Sequence, residues 1–198
     1  MQKFKNESVA CEKCLKPDFV KASQFESGSF KCKFCGHVNQ LTIATYDENI
    51  MGSLIHYGAL INSNAPAEKY LLRPGTNVIG VGQMADIQIK RAVHNGKCFV
   101  SRRHCTLTVS FDKRNGQLLY LLRDGAAEQD TGQYKNSLNF TFYKGKKIEP
   151  EEEIYLQDQD TINLGGEDSF RVEQYVIPEQ LLENYKIIAK KEDGETTE

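Results

Sequence analysis

His104-Cys105-Thr106-Leu107-Thr108-Val109-Ser110-Phe111 puts Cys105, Leu107, Val109 and Phe111 on one side of an extended chain and His104, Thr106, Thr108 and Ser110 on the other. Alternation with period two fits a half-buried β-strand. Lys113-Arg114-Asn115-Gly116 follows, then a second run from Gln117 to Leu122, and Asn115-Gly116 between two such runs predicts a hairpin with a type I′ turn. Outward from this pair, short β-rich runs recur at Gly58 to Ile61, Tyr70 to Leu72, Asn77 to Ile79 and Asp86 to Ile89, and again at Phe140 to Tyr143, Ile154 to Gln157, Thr161 to Leu164 and Ser169 to Gln174. Arg73-Pro74-Gly75, Asp124-Gly125 and Gly165-Gly166 supply turns between them. Short strands at this spacing predict an all-β sandwich over residues 54–176.

The chain has 198 residues, more than one ordinary domain needs, so a second and smaller unit is expected. Apolar residues make up 39% and charged residues 26%, and no apolar run approaches the roughly 18 residues that span a bilayer. Met1 to Val9 carries Lys3 and Lys5 without a following apolar stretch, so no secretory signal is expected and the location expected is cytoplasmic. Net charge is -2, but residues 1–148 hold 21 Lys+Arg against 12 Asp+Glu, a net of +9, and residues 149–198 hold 4 against 15, a net of -11. That asymmetry fits either a basic binding surface or oppositely charged strands packed side by side.

Six cysteines stand at 11, 14, 32, 35, 98 and 105. The first four read C-x2-C, 17 residues, C-x2-C, the spacing of a zinc site: each pair forms a knuckle that turns two thiolates to one ion, and a hairpin in the insert brings the pairs together. Four protein ligands leave no open position for water, so Zn2+ bound by Cys11, Cys14, Cys32 and Cys35 is expected to be structural. Disulfides or redox chemistry are the alternatives. Gly36 stands where a knuckle needs positive φ, and Lys13, Lys16, Lys31 and Lys33 flank four thiolates that leave a local charge of -2 around the ion. About forty residues bury too little to fold alone, so metal binding must supply much of this unit's stability. Residues 1–40 resemble a zinc ribbon. Cys105 is expected in the core, with Cys98 either there or in a loop.

Residues 41–53 show no periodicity and are expected to be a linker or packing strap. Leu181, Leu182, Tyr185 and Ile188 suggest a short helix within residues 177–198, ahead of a charged, disordered tail. Lys90 to His104 carries Lys90, Arg91, Lys97, Arg102 and Arg103 with no acid, and Ser101, Asn95 and Gly96 add donors for an anion. A solvated basic loop is the other reading.

Ile79-Gly80-Val81-Gly82-Gln83-Met84-Ala85-Asp86-Ile87, Ser101-Arg102-Arg103-His104, Ser137-Leu138-Asn139-Phe140-Thr141 and Tyr143-Lys144-Gly145 together resemble the ordered motifs of a forkhead-associated (FHA) domain. Leu156 to Gly165 resembles that family's closing strand pair. The resemblance implies a sandwich of about eleven strands whose loops at one end bind a phosphothreonine peptide. By position it implies that Ser101 bonds the phosphate, Asn139 holds the peptide backbone and His104 orients the binding loop, with Arg102, Arg103, Lys97 and Ser137 alongside. Val81 stands where the family has its phosphate-binding arginine. Either Arg102, Arg103, Lys97 or Lys135 reaches the same oxygens, or the domain binds its partner without phosphate. Phe140 replaces the glycine that usually follows the asparagine, which predicts an altered turn.

The resulting expectation is a non-catalytic adaptor in Ser/Thr-kinase signalling, with a phosphorylated or unphosphorylated protein as partner and the ribbon as a second docking surface. A phosphate-independent scaffold is the alternative. Nucleic-acid binding through Lys13, Lys16, Lys31, Lys33, Phe30 and Phe34 ranks lower, because residues 1–40 carry only seven Lys against four acids. Histidines 37, 56, 94 and 104 show no triad or metal arrangement with carboxylates, so an enzyme is not expected. Thr196 and Thr197 read either as part of an unmodified solubilising tail or as acceptor sites whose phosphorylated form binds the cationic loop in cis.

Overall fold

The computed structural model describes residues 6–41, 44–90 and 93–188. The chain divides into two compact units, Met1–Asp47 with Lys186–Glu198, and Glu48–Tyr185. Arg91, Thr196 and Thr197, singled out above, lie outside the described residues.

In the smaller unit β1 (Glu7–Ala10) pairs antiparallel with β2 (Pro17–Val20), and after α1 (Ala22–Ser27) comes a second antiparallel pair, β3 (Ser29–Lys31) with β4 (Val38–Gln40). The first cysteine pair lies between β1 and β2 and the second between β3 and β4. The expected single hairpin in the insert is therefore corrected to two knuckle-tipped hairpins joined by a helix. Gly28, in the left-handed region at φ 70, ends that helix and lets the chain turn into β3. Cys11, Val20, Phe30 and Cys32 form the buried centre, too small a core to hold the unit unaided.

Residues 41–53 do not behave as a plain linker. Ala44–Tyr46 forms β5, and Glu48–Ser53 is a 3-10 helix whose Ile50 is fully buried in the core of the larger unit. That core lies between two sheets built from β6 (Ala59–Asn62), β7 (Lys69–Leu71), β8 (Gly75–Gly80), β9 (Ile87–Gln88), β10 (Cys105–Asp112), β11 (Gln117–Asp124), β12 (Ala126–Ala127), β13 (Tyr134–Lys135), β14 (Thr141–Tyr143), β15 (Lys146–Lys147), β16 (Ile154–Leu156), β17 (Thr161–Leu164) and β18 (Asp168–Glu173). The five-stranded sheet runs β16-β11-β10-β8-β9, the six-stranded sheet β15-β14-β17-β18-β6-β7, and β12 pairs with β13 apart from both. The two sheets hold the expected eleven strands. Among the described residues of this unit, only β8 and β9 pair parallel. Alternation fills the interior: Leu107 and Val109 of β10, Leu122 and Tyr120 of β11, Ile162 and Leu164 of β17 and Phe170 and Val172 of β18 are almost wholly buried. Each such side chain contributes roughly 1.5–3 kcal/mol by leaving water.

Asn115 lacks the positive φ that a type I′ turn requires, which corrects the turn but not the hairpin. The connection is four residues long, Gly116 alone is left-handed at φ 62, and the Asp112 carboxylate accepts the N–H groups of Arg114 and Asn115. Asp112 thus supplies locally what a tighter turn would have supplied by backbone alone. Turns with both central residues left-handed do occur elsewhere, at Asn95 and Gly96, φ 50 and 76, closing His94 onto Lys97, and at Lys144 and Gly145, φ 48 and 76, between β14 and β15. The C-terminal helix is also shorter than its pattern suggests: α2 (Glu179–Asn184) ends before Tyr185, and Lys186–Ile188 forms β19, paired with β5. Strand pairing overrides the helical spacing of Ile188. Among the described residues no helix is long and apolar enough to cross a membrane.

Candidate functional site

All four ligand sulfurs of Cys11, Cys14, Cys32 and Cys35 lie within 4.8 Å of one another. The Cys11 and Cys35 Sγ atoms are 3.6 Å apart and those of Cys14 and Cys32 3.7 Å apart. A tetrahedron with metal–sulfur bonds of about 2.3 Å has edges of about 3.8 Å, so the spacing fits one ion and is far too long for disulfides. Burial raises the Cys11 thiol, but N–H groups of Cys14 and Lys13 and the side chain of Asn39 bring it down to about 6. Cys35 receives an N–H from His37, yet burial and the three neighbouring sulfurs push it up to about 12. Four crowded sulfurs cannot all ionise without a cation between them.

The two knuckles are built alike. The residue after the second cysteine is left-handed in both, Leu15 at φ 58 and Gly36 at φ 71. Each knuckle is braced by the strand that follows the other: Asn39 Oδ1 accepts Glu12 N–H at 2.8 Å, and the buried Asp18 Oδ2 accepts Lys33 N–H at 2.7 Å. The Lys33 N–H is the first reason the Asp18 carboxyl sits below the usual carboxylate range. Sequence reading missed both braces. Aligning Cys11-x2-Cys14-x3-Asp18 with Cys32-x2-Cys35-x3-Asn39 would have found them.

At one end of the sandwich three loops are tied into a single rim. Val81 N–H donates to Ser101 O and Gly82 N–H to Arg102 O. A Cβ on Gly80 would lie 2.3 Å from Arg102 O and one on Gly82 2.8 Å from it, so both must be glycine for the loops to meet. His104 is fully buried beneath them. Its Nδ1 accepts Ser101 N–H at 2.9 Å, so Nε2 carries the proton and donates to Phe140 O at 3.0 Å. Burial keeps this imidazole below the usual histidine pKa and therefore neutral, the form that can accept at one nitrogen and donate from the other.

The third loop hangs from Asp124, which is buried at the end of β11. Its carboxylate accepts Ser137 N–H, Ser137 Oγ–H, Thr141 N–H and Thr141 Oγ1–H at 2.7–3.1 Å. Leu138 N–H then reaches Ser101 Oγ at 3.2 Å, and Asn139 Nδ2 donates to Phe99 O at 2.8 Å. Phe140 keeps the left-handed backbone that glycine would have, at φ 59. The expected altered turn is thus corrected: the turn stays and the residue is strained, because two bonds to its carbonyl fix it.

The FHA domain family matches residues 77–165, the span that contains every one of these loops. This chain carries an FHA domain. Among solved structures, one from a study of phosphothreonine-dependent FHA domain interactions is 26% identical, covering 61% of this chain and 99% of that one at a TM-score of 0.42. The Slr1951 protein of Synechocystis sp. is 28% identical, with 61% and 99% covered and a TM-score of 0.46. The FhaA FHA domain, complexed there with the intracellular domain of Rv3910, is 27% identical, with 59% and 99% covered and a TM-score of 0.40. No curated protein matches the chain.

Within the FHA domain, Ser101, Arg102 and Asn139 all lie on the tied loops of the rim. Ser101 Oγ accepts from Leu138, which leaves its proton for a ligand, and Asn139 Oδ1 has no partner among the described residues. Arg102 is exposed and also without a partner among them; it lines a cleft of about 290 Å³ together with Gly82, Met84, Glu128, Asp130 and Thr131. Lys97 is exposed on the Asn95-Gly96 turn. The other expected residues are elsewhere occupied. Arg103 donates to Ala127 O and Met84 O, Lys135 pairs with Glu128, and Ser137 is buried on Asp124. Lys90 pairs with Glu68 at 2.9 Å. Val81 turns its side chain onto the sandwich core. His94 takes part in no triad or metal cluster among the described residues, but its Nε2 is 3.3 Å from Oδ1 of the buried Asp168, joining the cationic loop to the start of β18 across 74 residues of sequence.

Proposed function

We propose that this protein is a non-catalytic adaptor that binds phosphothreonine-containing partner proteins in Ser/Thr-kinase signalling in the cytoplasm. Residues 54–176 are the recognition module, and residues 1–40 are an accessory ribbon folded around a structural Zn2+ held by Cys11, Cys14, Cys32 and Cys35. The observation that carries the reading is the rim itself: a hydroxyl proton on Ser101, an unpaired guanidinium on Arg102 and an amide oxygen on Asn139 stand on one edge of a rigid scaffold. Phosphate oxygens accept from the first two, and a peptide N–H donates to the third. Titration of labelled phosphothreonine and unphosphorylated peptides tests it. Phosphate-dependent binding weakened about tenfold or more by Ser101→Ala supports it, and equal affinities refute it. Metal content of the purified chain, near one zinc per molecule and lost on Cys→Ser change at any ligand, tests the ribbon.

Val81 favours a second reading. With an apolar side chain turned inward where a cation is expected, the rim also suits a partner that binds through shape and polar contacts alone, and that partner would bind equally well in both forms.

A further inference from the structure

Leu138 and Phe140 flank Asn139, and both hold apolar side chains out to solvent, 82% and 37% exposed. Leu138 N–H is bonded to Ser101 Oγ, so its side chain begins one residue from the hydroxyl of the rim. Phe140 is an aromatic residue at φ 59, a backbone state such residues seldom adopt, and its carbonyl is pinned there by His104 Nε2–H and by Gly165 N–H at 3.0 Å each. Glycine would serve that turn without strain, so the turn does not account for the ring. Nor does the core, since the ring lies outside the buried cluster, with Lys147 Nζ 3.9 Å from its centre. Strain held in place beside a binding rim marks a side chain kept for what it meets there. The same rim is one cation short at Val81, with only Lys97 and Arg102 unpaired among the described residues.

We propose that Leu138 and Phe140 form the apolar half of a two-part site, which takes a large aliphatic or aromatic side chain lying within about two residues of the phosphothreonine in the partner. Apolar burial beside the phosphate supplies affinity that the missing arginine does not. Lys144 pairs with Asp160 and Lys147, over the Phe140 ring, with Glu149 at 3.6 Å, so neither adds a free cation beside the ring.

This rests on the phosphothreonine reading, and one experiment separates the two. Anisotropy titrations of the full chain use fluorescein-labelled phosphothreonine peptides in pairs, with Leu or Ala at each position next to or one removed from the phosphothreonine, and their unphosphorylated forms. At one position the Leu peptide binds about tenfold more tightly than the Ala peptide. That ratio falls to threefold or less in L138A/F140G and in L138A/F140N, two variants whose residue 140 accepts left-handed backbone and whose thermal midpoints confirm folding. Phosphate-dependent binding with no Leu preference, or a preference unchanged in both variants, overturns this inference alone. Binding that ignores phosphate overturns both.

Discussion

Asp124→Ala is the substitution that most directly tests how the FHA domain's rim is held. The wild-type carboxylate accepts four hydrogen bonds, three at Oδ1 and one at Oδ2, all from Ser137 and Thr141. Removing it leaves two hydroxyls, which can rotate toward water or a neighbouring carbonyl, and two buried backbone N–H groups, which cannot. Each orphaned N–H costs about 1–3 kcal/mol, so the expected loss is about 3–5 kcal/mol. For a unit the size of Glu48–Tyr185 that corresponds to a drop of roughly 10–20 °C in thermal midpoint. Asp124→Asn is the control. With its amide oxygen at the Oδ1 position it keeps three of the four bonds and loses only the one from Ser137 N–H, so about 1–2 kcal/mol is expected. Urea unfolding monitored by circular dichroism, with equal slopes checked among variants, gives both numbers. A loss below 1 kcal/mol for the alanine variant, or equal losses for the two, would refute the carboxylate's role as the anchor of residues 137–141.

Gly80→Ala places a Cβ 2.3 Å from Arg102 O, backbone against backbone, and is expected to cost more than 3 kcal/mol or prevent folding, read by the same unfolding assay. His104 has its folded pKa depressed by burial, so folding excludes a proton that the unfolded chain binds near pH 6.5. Stability of the sandwich is therefore full above pH 6.5 and falls as pH drops toward the folded pKa; unfolding free energies measured from pH 7.5 to 5 should show that slope, and His104→Asn should flatten it. Asp18→Ala removes the brace on the second knuckle without touching a sulfur, and zinc affinity measured by chelator competition should fall about 10–100-fold; an unchanged affinity would sever the brace from the metal.

Elements whose own residues carry the signal were legible in the sequence. The strands β10 and β11 alternate cleanly because one face is core and the other is not, and the cysteine spacing reports a geometry that only a tetrahedral site demands. Leu15 was not legible, since nothing about leucine announces φ 58; only its equivalence to Gly36 does. Phe140 was read in the wrong direction for a related reason. A non-glycine residue at a glycine position predicts a changed backbone if local preference rules, but here two carbonyl bonds and the Asp124 anchor overrule it. Asp124 itself escaped notice because its partners lie 13 and 17 residues away and its only local signature is a neighbouring glycine.

The cationic stretch from Lys90 to His104 shows why charge counted along a chain overstates what a ligand meets. Lys90 is spent on Glu68, Arg103 on two carbonyls, and the neighbouring Lys135 on Glu128, so of the described cations considered for the phosphate only Lys97 and Arg102 face solvent unpaired. The spent ones still matter, because they lock the loops that present Ser101. A domain with two available cations and a rigid rim needs other contributions to bind a partner tightly, and exposed Leu138 and strained Phe140 stand where those contributions would be made. Affinity in such a site would depend less on salt than a phosphate clamp of three or four cations would, since fewer charges are screened. Raising ionic strength from about 0.05 to about 0.5 M should therefore weaken phosphopeptide binding modestly, and by the same factor in L138A/F140G, whose charged contacts are unchanged; a steeper salt slope in that variant would refute the two-cation count.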